Sequence, residues 1–155
     1  MEVLRIKNIS SDLKLVHHFI SNLGEAKLNF RYFDKREMSA IQNHLVTLLV
    51  MNDDIPVGYG HLDQENGNIW LGISVNPDFQ GQGIGNILMT ELISDAKENN
   101  IEKIHLTVDK ENITAQKLYE KFKFKKIELS ENITFYKYNL ILNNEYKKKY
   151  SILYY

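Results

Sequence analysis

The stretch of this sequence with the clearest chemical meaning is a glycine-rich run, Gln80-Gly81-Gln82-Gly83-Ile84-Gly85. It follows an apolar stretch at 69–75, and it leads into a helical pattern of apolar residues over 84–98. Glycines can take positive φ and let a backbone approach a ligand closely, and the first N–H groups of a helix have no partner within that helix. The run therefore predicts an anion site, with a phosphate group as the ligand.

Two common phosphate sites do not match this spacing. A dinucleotide-binding turn needs Gly-x-Gly-x-x-Gly near a first strand, whereas the glycines here are 81, 83 and 85 and the turn lies in the middle of the chain. A P-loop needs Gly-Lys followed by Ser or Thr, and the sequence contains no such tripeptide. Both readings are excluded.

A second motif follows downstream, Asn112-x-x-Ala115-x-x-Leu118-Tyr119-Glu120-Lys121-Phe122-x-Phe124. Together with Gln80, Gly83 and Gly85, which match the signature Gln/Arg-x-x-Gly-x-Gly/Ala, it resembles the GNAT superfamily of N-acetyltransferases. The resemblance extends over about residues 3–140. One departure is Lys123, which stands where the family usually has glycine before the final Phe, and this puts the geometry of that turn in question.

The resemblance implies acetyl-CoA as co-substrate. Backbone N–H groups of the glycine turn would hold the pyrophosphate, and the strand before the turn would pair with the pantetheine arm as an added strand would. The cofactor-binding residues expected on this basis are Ile73, Ser74, Val75, Gln80, Gly81, Gln82, Gly83, Ile84, Gly85, Asn86, Asn112, Ala115 and Tyr119.

The resemblance also implies catalytic roles. Tyr119 holds the position that in this family commonly donates a proton to the departing sulfur, and its alternative is a core aromatic on one face of a helix. A backbone N–H near Ser74 would stabilise the oxyanion. Asn112 would contact the pantetheine or the CoA, or cap the following helix, and both roles are compatible.

The general base is the least determined element. His61 is the first candidate because its usual pKa suits proton uptake near neutral pH, with a hydrogen-bonded strand histidine as the alternative. Asp63 and Glu65, acting through a water, are further candidates, as are His44 and His105. No metal site is predicted, since the adjacent His17 and His18 point about 100° apart on a helix.

The acceptor is expected to meet the aromatic and basic segment that contains Phe30, Arg31, Tyr32 and Arg36. An aromatic platform with guanidinium groups suits a planar anionic molecule, so the leading hypothesis is a small-molecule amine such as a nucleotide-linked amino sugar. The alternative for these residues is that the aromatics are core and the arginines solvated. Two rival functions stay open: a protein or peptide N-terminal acetyltransferase, and a non-catalytic acyl-CoA-binding module.

Hydrophobic periodicity predicts the elements that position these residues. Strands are expected at 3–9, 46–51, 57–62, 69–75, 103–108, 124–129 and 133–140, with a turn at 130–132 between the last two. Helices are expected from 10–12 to 23, at 34–44 (more weakly), at 84–98 and at 113–122. The fold class is therefore α/β (α+β), and with the resemblance it is a mixed, mostly antiparallel sheet of about seven strands flanked by helices.

Composition excludes several other classes. The chain has 155 residues, 43% hydrophobic and 25% charged, with a formal net charge of −1, so nothing favours nucleic acid or an anionic membrane as a partner. The absence of cysteine fits a cytoplasmic location. A single domain is expected over 1–142. For the tyrosine-rich tail, 143–155, three alternatives stay open: an extra strand or helix, packing against a second copy in a homodimer, or a loose end.

Overall fold

The computed structural model describes residues 1–127 and 133–142 of the chain. Its centre is a seven-stranded sheet with the order β1-β2-β3-β4-β5-β7-β6, in which β4 and β5 run parallel and all other neighbours are antiparallel. The predicted mixed, mostly antiparallel sheet of about seven strands is confirmed. The strands are β1 (Glu2–Arg5), β2 (His44–Asn52), β3 (Ile55–Glu65), β4 (Asn68–Val75), β5 (Lys103–Asp109), β6 (Lys125–Ile127) and β7 (Phe135–Ile141).

Within the described residues, three α-helices cover the two faces of this sheet: α1 (Ser10–Ser21), α2 (Ile84–Glu98) and α3 (Ile113–Lys121). α1 packs on one face, where Val16 and Phe19 meet Tyr59 of β3. α2 and α3 pack on the other face, with Leu88 and Tyr119 in the larger core. The alternation of side chains along β3 therefore decides which residues face which set of helices.

Glycines in β3 allow α2 to lie close to the sheet. A Cβ at Gly58 would stand 2.5 Å from the Ile84 side chain, and one at Gly60 would stand 3.0 Å from Leu92. These small residues bring the start of α2, and with it the glycine turn, directly against the middle of β3.

The parallel strands β4 and β5 separate soon after they begin. They pair only at Ile69 with Ile104 and at Trp70 with His105, whereas β4 stays paired with β3 as far as Val75. The edge of β4 beyond Trp70 thus has no partner strand in the described part of the chain. Its free backbone groups face the gap, as an added strand or an amide-rich ligand would require.

The second predicted helix is wrong. In place of a helix at 34–44, the chain forms short 3₁₀ turns at Gly24–Leu28, Tyr32–Asp34 and Met38–Asn43. Met38 and Ile41 of this segment pack into the core beneath α1, and Ala26, Phe30, Tyr32 and Phe33, just before it, pack into the same core. Tertiary packing has overridden a weak helical pattern here.

The predicted cap of α1 is replaced by a different bond. The helix begins after Ile9, which offers no side-chain cap, and the Asp12 carboxylate accepts a hydrogen bond from the Lys7 backbone N–H at 2.7 Å. The other predicted helices match closely. The turn at 130–132 and the tail 143–155 lie outside the described residues. In the described part of the chain, none of the helices is long and apolar enough to cross a membrane.

The turn between α3 and β6 forms with Lys123 in the position where glycine was expected. Lys123 takes φ +70°, and the bonds from Lys123 N–H to Glu120 C=O and from Phe124 N–H to Tyr119 C=O form a Schellman end to α3. The Phe124 ring lies 6.1 Å from the Tyr119 ring, as the accompanying hydrophobic contact requires. Lys123 therefore closes the turn in the left-handed region, where a side chain brings strain.

Candidate functional site

A single cleft of about 830 Å³ gathers almost all of the predicted site residues. It is lined by the separated edge of β4, the glycine turn, α3 and the segment that contains Arg31 and Tyr32. Of the residues expected to bind cofactor or acceptor, only Gln82 does not line it. Residues separated by up to about 90 positions in sequence thus come together at one opening between β4 and β5.

The glycine turn has the backbone that the sequence predicts. Gly81 has φ +77° and Gly83 has φ +82°, and a Cβ at either position would meet no atom within 4 Å. Positive φ explains why glycine is needed, and the open space leaves room for a ligand. Gly83 also begins α2 without a side-chain cap, so the first N–H groups of the helix are available.

Gly85 serves packing as well as the cleft. A Cβ there would lie 2.9 Å from Leu118 of α3, so the missing side chain lets α2 and α3 approach each other. Nearby, the Lys121 ammonium donates to Asn86 Oδ1 at 2.6 Å and joins the same two helices. The third glycine of the motif therefore fixes how the helix that carries Tyr119 sits beside the turn.

Tyr119 combines the two roles weighed for it. Its ring is buried, 6.2 Å from the Tyr138 ring, yet the residue lines the cleft. Its hydroxyl bonds to no described residue, and burial raises its pKa well above the usual value. The phenol therefore stays protonated and free to donate. Asn112 is a structural cap, since its Oδ1 accepts from the Ala115 N–H at 3.2 Å.

At the other end of the cleft, Tyr32 is the centre of a hydrogen-bonded chain. Its hydroxyl lies 2.7 Å from Asp63 Oδ2 and 2.6 Å from His44 Nε2, and His44 Nδ1 lies 2.8 Å from Thr47 Oγ1. The Arg36 guanidinium covers the ring at 4.3 Å. Desolvation lowers the pKa of His44 to about 4, outweighing the carboxylate of Asp63, so the imidazole is neutral at pH 7.

His61 lies in the cleft but in surroundings that disfavour proton uptake. Burial is the main cause that lowers its pKa well below 6.5, and the positive charge of the Arg36 guanidinium adds to it. The fully buried Tyr59 hydroxyl lies 2.8 Å from His61 Nδ1 and has no other described acceptor, so it donates there. The imidazole hydrogen is then on Nε2, and the ring offers the cleft a donor.

The arginines of the acceptor segment are already paired. Arg31 contacts Asp109 of β5 at 3.0 Å, across the cleft, and Arg36 contacts Glu65 at 3.4 Å. Phe30 is buried against Tyr59, with ring centroids 5.2 Å apart, although it also lines the cleft. The charged residues of the cleft are thus three carboxylates and two guanidiniums, which leaves this end slightly acidic.

Several of these residues carried no signal in the sequence. Thr47, Tyr59 and Asp109 lie in strands and look like ordinary strand residues, and only register places them beside His44, His61 and Arg31. His105, a candidate base, lies outside the cleft and packs 5.2 Å from Trp70. Its Nδ1 is buried with no described partner, and its pKa is lowered mainly by desolvation.

No metal centre emerges from the described ranges, 1–127 and 133–142. Among those residues, no group of three or more His, Cys, Asp or Glu side chains is placed to hold an ion.

Comparison with known proteins identifies the family and the fold. The model of the acetyltransferase (GNAT) family matches residues 13–124. The chain is 28% identical over 114 residues to the [ribosomal protein bS18]-alanine N-acetyltransferase of Escherichia coli K12, which covers 74% of this chain and 66% of that protein, just under two thirds of its length.

Solved structures share the fold. The GNAT domain of S. lividans PAT has a TM-score of 0.75 at 15% identity, covering 90% of this chain and 89% of that one. The PaiA N-acetyltransferase of Thermoplasma acidophilum, solved in complex with coenzyme A, has a TM-score of 0.72 at 16% identity, covering 92% and 100%. With a family model matched over most of its length, this chain belongs to the GNAT acetyltransferase family.

Proposed function

We propose that this protein transfers the acetyl group of acetyl-CoA to a primary amine. The observation that carries the proposal is that one cleft holds both the open glycine turn and the free hydroxyl of Tyr119, next to an unpaired strand edge. Family membership supports the same donor. The residues of the turn fit a CoA pyrophosphate, because Gly81 and Gly83 leave open the space that side chains would fill.

The two faces of the sheet supply two sides of the reaction. Every second residue of β3 faces α1, and this face includes Tyr59, His61 and Asp63. Tyr119 belongs to the core on the opposite face. An amine that enters on the α1 side would therefore attack a thioester whose sulfur lies toward α3, so that bond formation and bond breaking have separate proton partners.

The chemistry is a direct attack. The amine nitrogen forms a bond to the acetyl carbonyl carbon, and a backbone N–H of β4 near Ser74 stabilises the oxyanion. The carbon–sulfur bond then breaks with its electron pair on sulfur, and Tyr119 gives the sulfur a proton. Ile73, Ser74 and Val75 would hold the pantetheine arm, and the turn from Gln80 to Asn86 the pyrophosphate.

The charges of the cleft bear on the acceptor. Asp63, Glu65 and Asp109 outnumber Arg31 and Arg36, and both guanidiniums already have carboxylate partners. A cationic amine is favoured over an acceptor that brings a diphosphate, because each phosphate would have to displace a carboxylate. A small amine without phosphate therefore fits better than the nucleotide-linked amino sugar that the segment 30–36 suggested.

A second candidate acceptor is a protein N-terminus. It is favoured by the E. coli relative, whose name specifies the alanine of a ribosomal protein. The open cleft, with exposed Phe135 beside Asp109 at its rim, has room for an extended peptide. A non-catalytic acyl-CoA-binding module is the third reading, and the free phenol of Tyr119 argues against it.

The test is an amine panel with acetyl-CoA, measured by release of free thiol and by mass of the product. The panel contains spermidine, a hexapeptide with N-terminal alanine, and a uridine-diphosphate amino sugar. We expect acetylation of at least one of the first two and little of the third. Thiol release at the background rate with every amine, despite tight CoA binding, would support the binding module and overturn the proposal.

A further inference from the structure

We propose that Asp63 takes the proton from the attacking amine, and that Tyr32, held by His44 and Thr47, is the positioning residue that fixes the Asp63 carboxylate. This assignment rests on the proposed acetyl transfer. It gives the base role to a residue other than His61 and makes the hydrogen-bonded chain of Tyr32, His44 and Thr47 part of the machinery.

The direction of the chain follows from counting hydrogens. The Tyr32 hydroxyl has one hydrogen and two partners, Asp63 Oδ2 at 2.7 Å and His44 Nε2 at 2.6 Å. An ionised carboxylate can only accept, so Tyr32 donates to Asp63 and His44 Nε2–H donates to Tyr32. His44 Nδ1 then accepts from the Thr47 hydroxyl at 2.8 Å. Every donor in the chain points toward Asp63.

This chain occupies one oxygen of Asp63 and leaves the other. No described residue bonds to Oδ1, and Asp63 lines the cleft although it is only 8% exposed. The bond from Tyr32 holds the carboxylate plane, and the Arg36 guanidinium over the tyrosine ring holds the tyrosine. The result is a fixed carboxylate whose Oδ1 has a free lone pair, on the α1 side of the sheet from which the amine would enter.

His61 presents a hydrogen-bond donor to the cleft, whereas Asp63 presents an acceptor. With Nδ1 accepting from Tyr59, His61 presents an N–H beside Gly72, where a Cβ would stand 2.6 Å from Nε2. The absence of a side chain at Gly72 lets the ring lie on the backbone of β4. His61 is therefore suited to donate a hydrogen bond to an oxygen, and Asp63 is suited to accept a proton.

The step balances with these two residues and Tyr119. The amine, bound as the cation that the cleft charges favour, first loses one proton to solvent. The neutral amine then attacks the carbonyl carbon, its nitrogen becomes a cation again, and Asp63 Oδ1 takes one proton from it. The carbon–sulfur electron pair leaves on sulfur, which takes the proton of the Tyr119 hydroxyl. Solvent then carries one proton from Asp63 to Tyr119, so the net products are the amide and free CoA thiol.

The experiment measures kcat, the KM of the amine and the Kd of acetyl-CoA, with the alanine hexapeptide and spermidine as the probes. Asp63→Asn should lower kcat roughly 10²-fold, as loss of a general base does. Tyr32→Phe should lower kcat about tenfold, as loss of one hydrogen bond to a charged group does. Both should leave the Kd of acetyl-CoA unchanged. Asp34→Asn is the matched control and should behave as wild type. Asp34 is an exposed carboxylate two residues after Tyr32, and it lies outside the cleft.

Chemical rescue separates proton transfer from structure. Formate should restore part of the kcat of Asp63→Ala and none of the kcat of Tyr119→Phe, since only the first lacks a carboxylate. If Asp63→Asn is poorly folded, Tyr32→Phe with intact CoA binding still decides the matter.

The assignment would be overturned by full kcat in Asp63→Asn, or by a loss confined to the KM of the amine with no formate rescue. Failure of the proposed function looks different, because the wild-type protein itself would then acetylate no amine.

Discussion

The two ends of the cleft are built from different materials. The proposed donor end consists of backbone: two glycines at positive φ, the first turn of α2 and an edge of β4 that has no partner strand in the described residues. The acceptor end consists of side chains, in which Tyr32, His44, Thr47 and Asp63 form one hydrogen-bonded chain.

This difference teaches where specificity lies. Backbone N–H groups recognise a diphosphate whatever side chains surround them, so the donor end can be shared by many related proteins. A chain of side chains admits or rejects an acceptor through its charges and hydrogens, and one substitution changes it. On this argument the proposed donor end sets only which co-substrate binds, and the proposed acceptor end sets which amine is admitted.

The largest effect is expected where the two ends meet, at Tyr119. Tyr119→Phe removes the proton for the sulfur, and kcat should fall roughly 10²-fold. The Kd of acetyl-CoA should stay within about twofold, because the ring and its packing remain. Steady-state kinetics and calorimetry with CoA measure the two quantities. Unchanged kcat would remove Tyr119 from the acid role and leave it a core residue.

The next effect tests whether the donor end is truly backbone. Gly83→Val places a β-branched residue at φ +82° and should weaken acetyl-CoA binding at least about tenfold, because the turn must leave the left-handed region. Gly67→Val is the matched control. Gly67 has φ +77° and equally open surroundings, but it lies in the β3–β4 turn outside the cleft.

Both variants should lose stability to heat, and only Gly83→Val should lose affinity. Equal affinity in the two variants would contradict a pyrophosphate site at the turn.

A third prediction concerns the acceptor end and pH. Since the pKa of His44 is lowered to about 4 in the folded protein, the unfolded chain binds more protons between about pH 6.5 and 4. Stability should therefore be full above pH 6.5 and fall as the pH drops through this window. His61, with its pKa also lowered by burial, acts in the same direction.

Thermal midpoints recorded from pH 7.5 to 4.5 measure this slope. His44→Asn should flatten it, whereas His17→Asn, at an exposed position of α1, should not. An unchanged slope in His44→Asn would show that the acceptor chain is not held by a neutral imidazole.

The smallest effect concerns the end of α3. Lys123→Gly should raise the free energy of unfolding by about 1 kcal/mol, because glycine takes φ +70° without strain. Asn100→Gly, at the corresponding position after α2 with φ +56°, should gain less, since asparagine tolerates that region. Urea titrations compare the two. A larger gain at Asn100 would contradict this account of strain.

Sequence reasoning succeeded where structure is local. The helix over 84–98, the strand over 69–75 and the glycine turn depend on residues adjacent in the chain, so apolar period and glycine spacing reveal them. It failed for the segment 34–44, where Met38 and Ile41 pack into the core beneath α1 and the chain forms a short 3₁₀ turn in place of the weakly predicted helix. It also left five candidate bases. The sequence does not show which of them share a cleft, nor which tautomer the three histidines take.

By itself, the sequence determined the family and the fold. It also predicted the glycine turn of the proposed donor end, since a phosphate cradle of backbone N–H groups needs only a few consecutive residues with the right φ. The tertiary structure decided the acceptor end. Tyr32 meets His44 across 12 positions and Asp63 across 31, and Arg31 meets Asp109 across 78. Such contacts depend on strand register and on the packing of an irregular segment, and a hydrogen bond exists only once both have brought its atoms within about 3 Å.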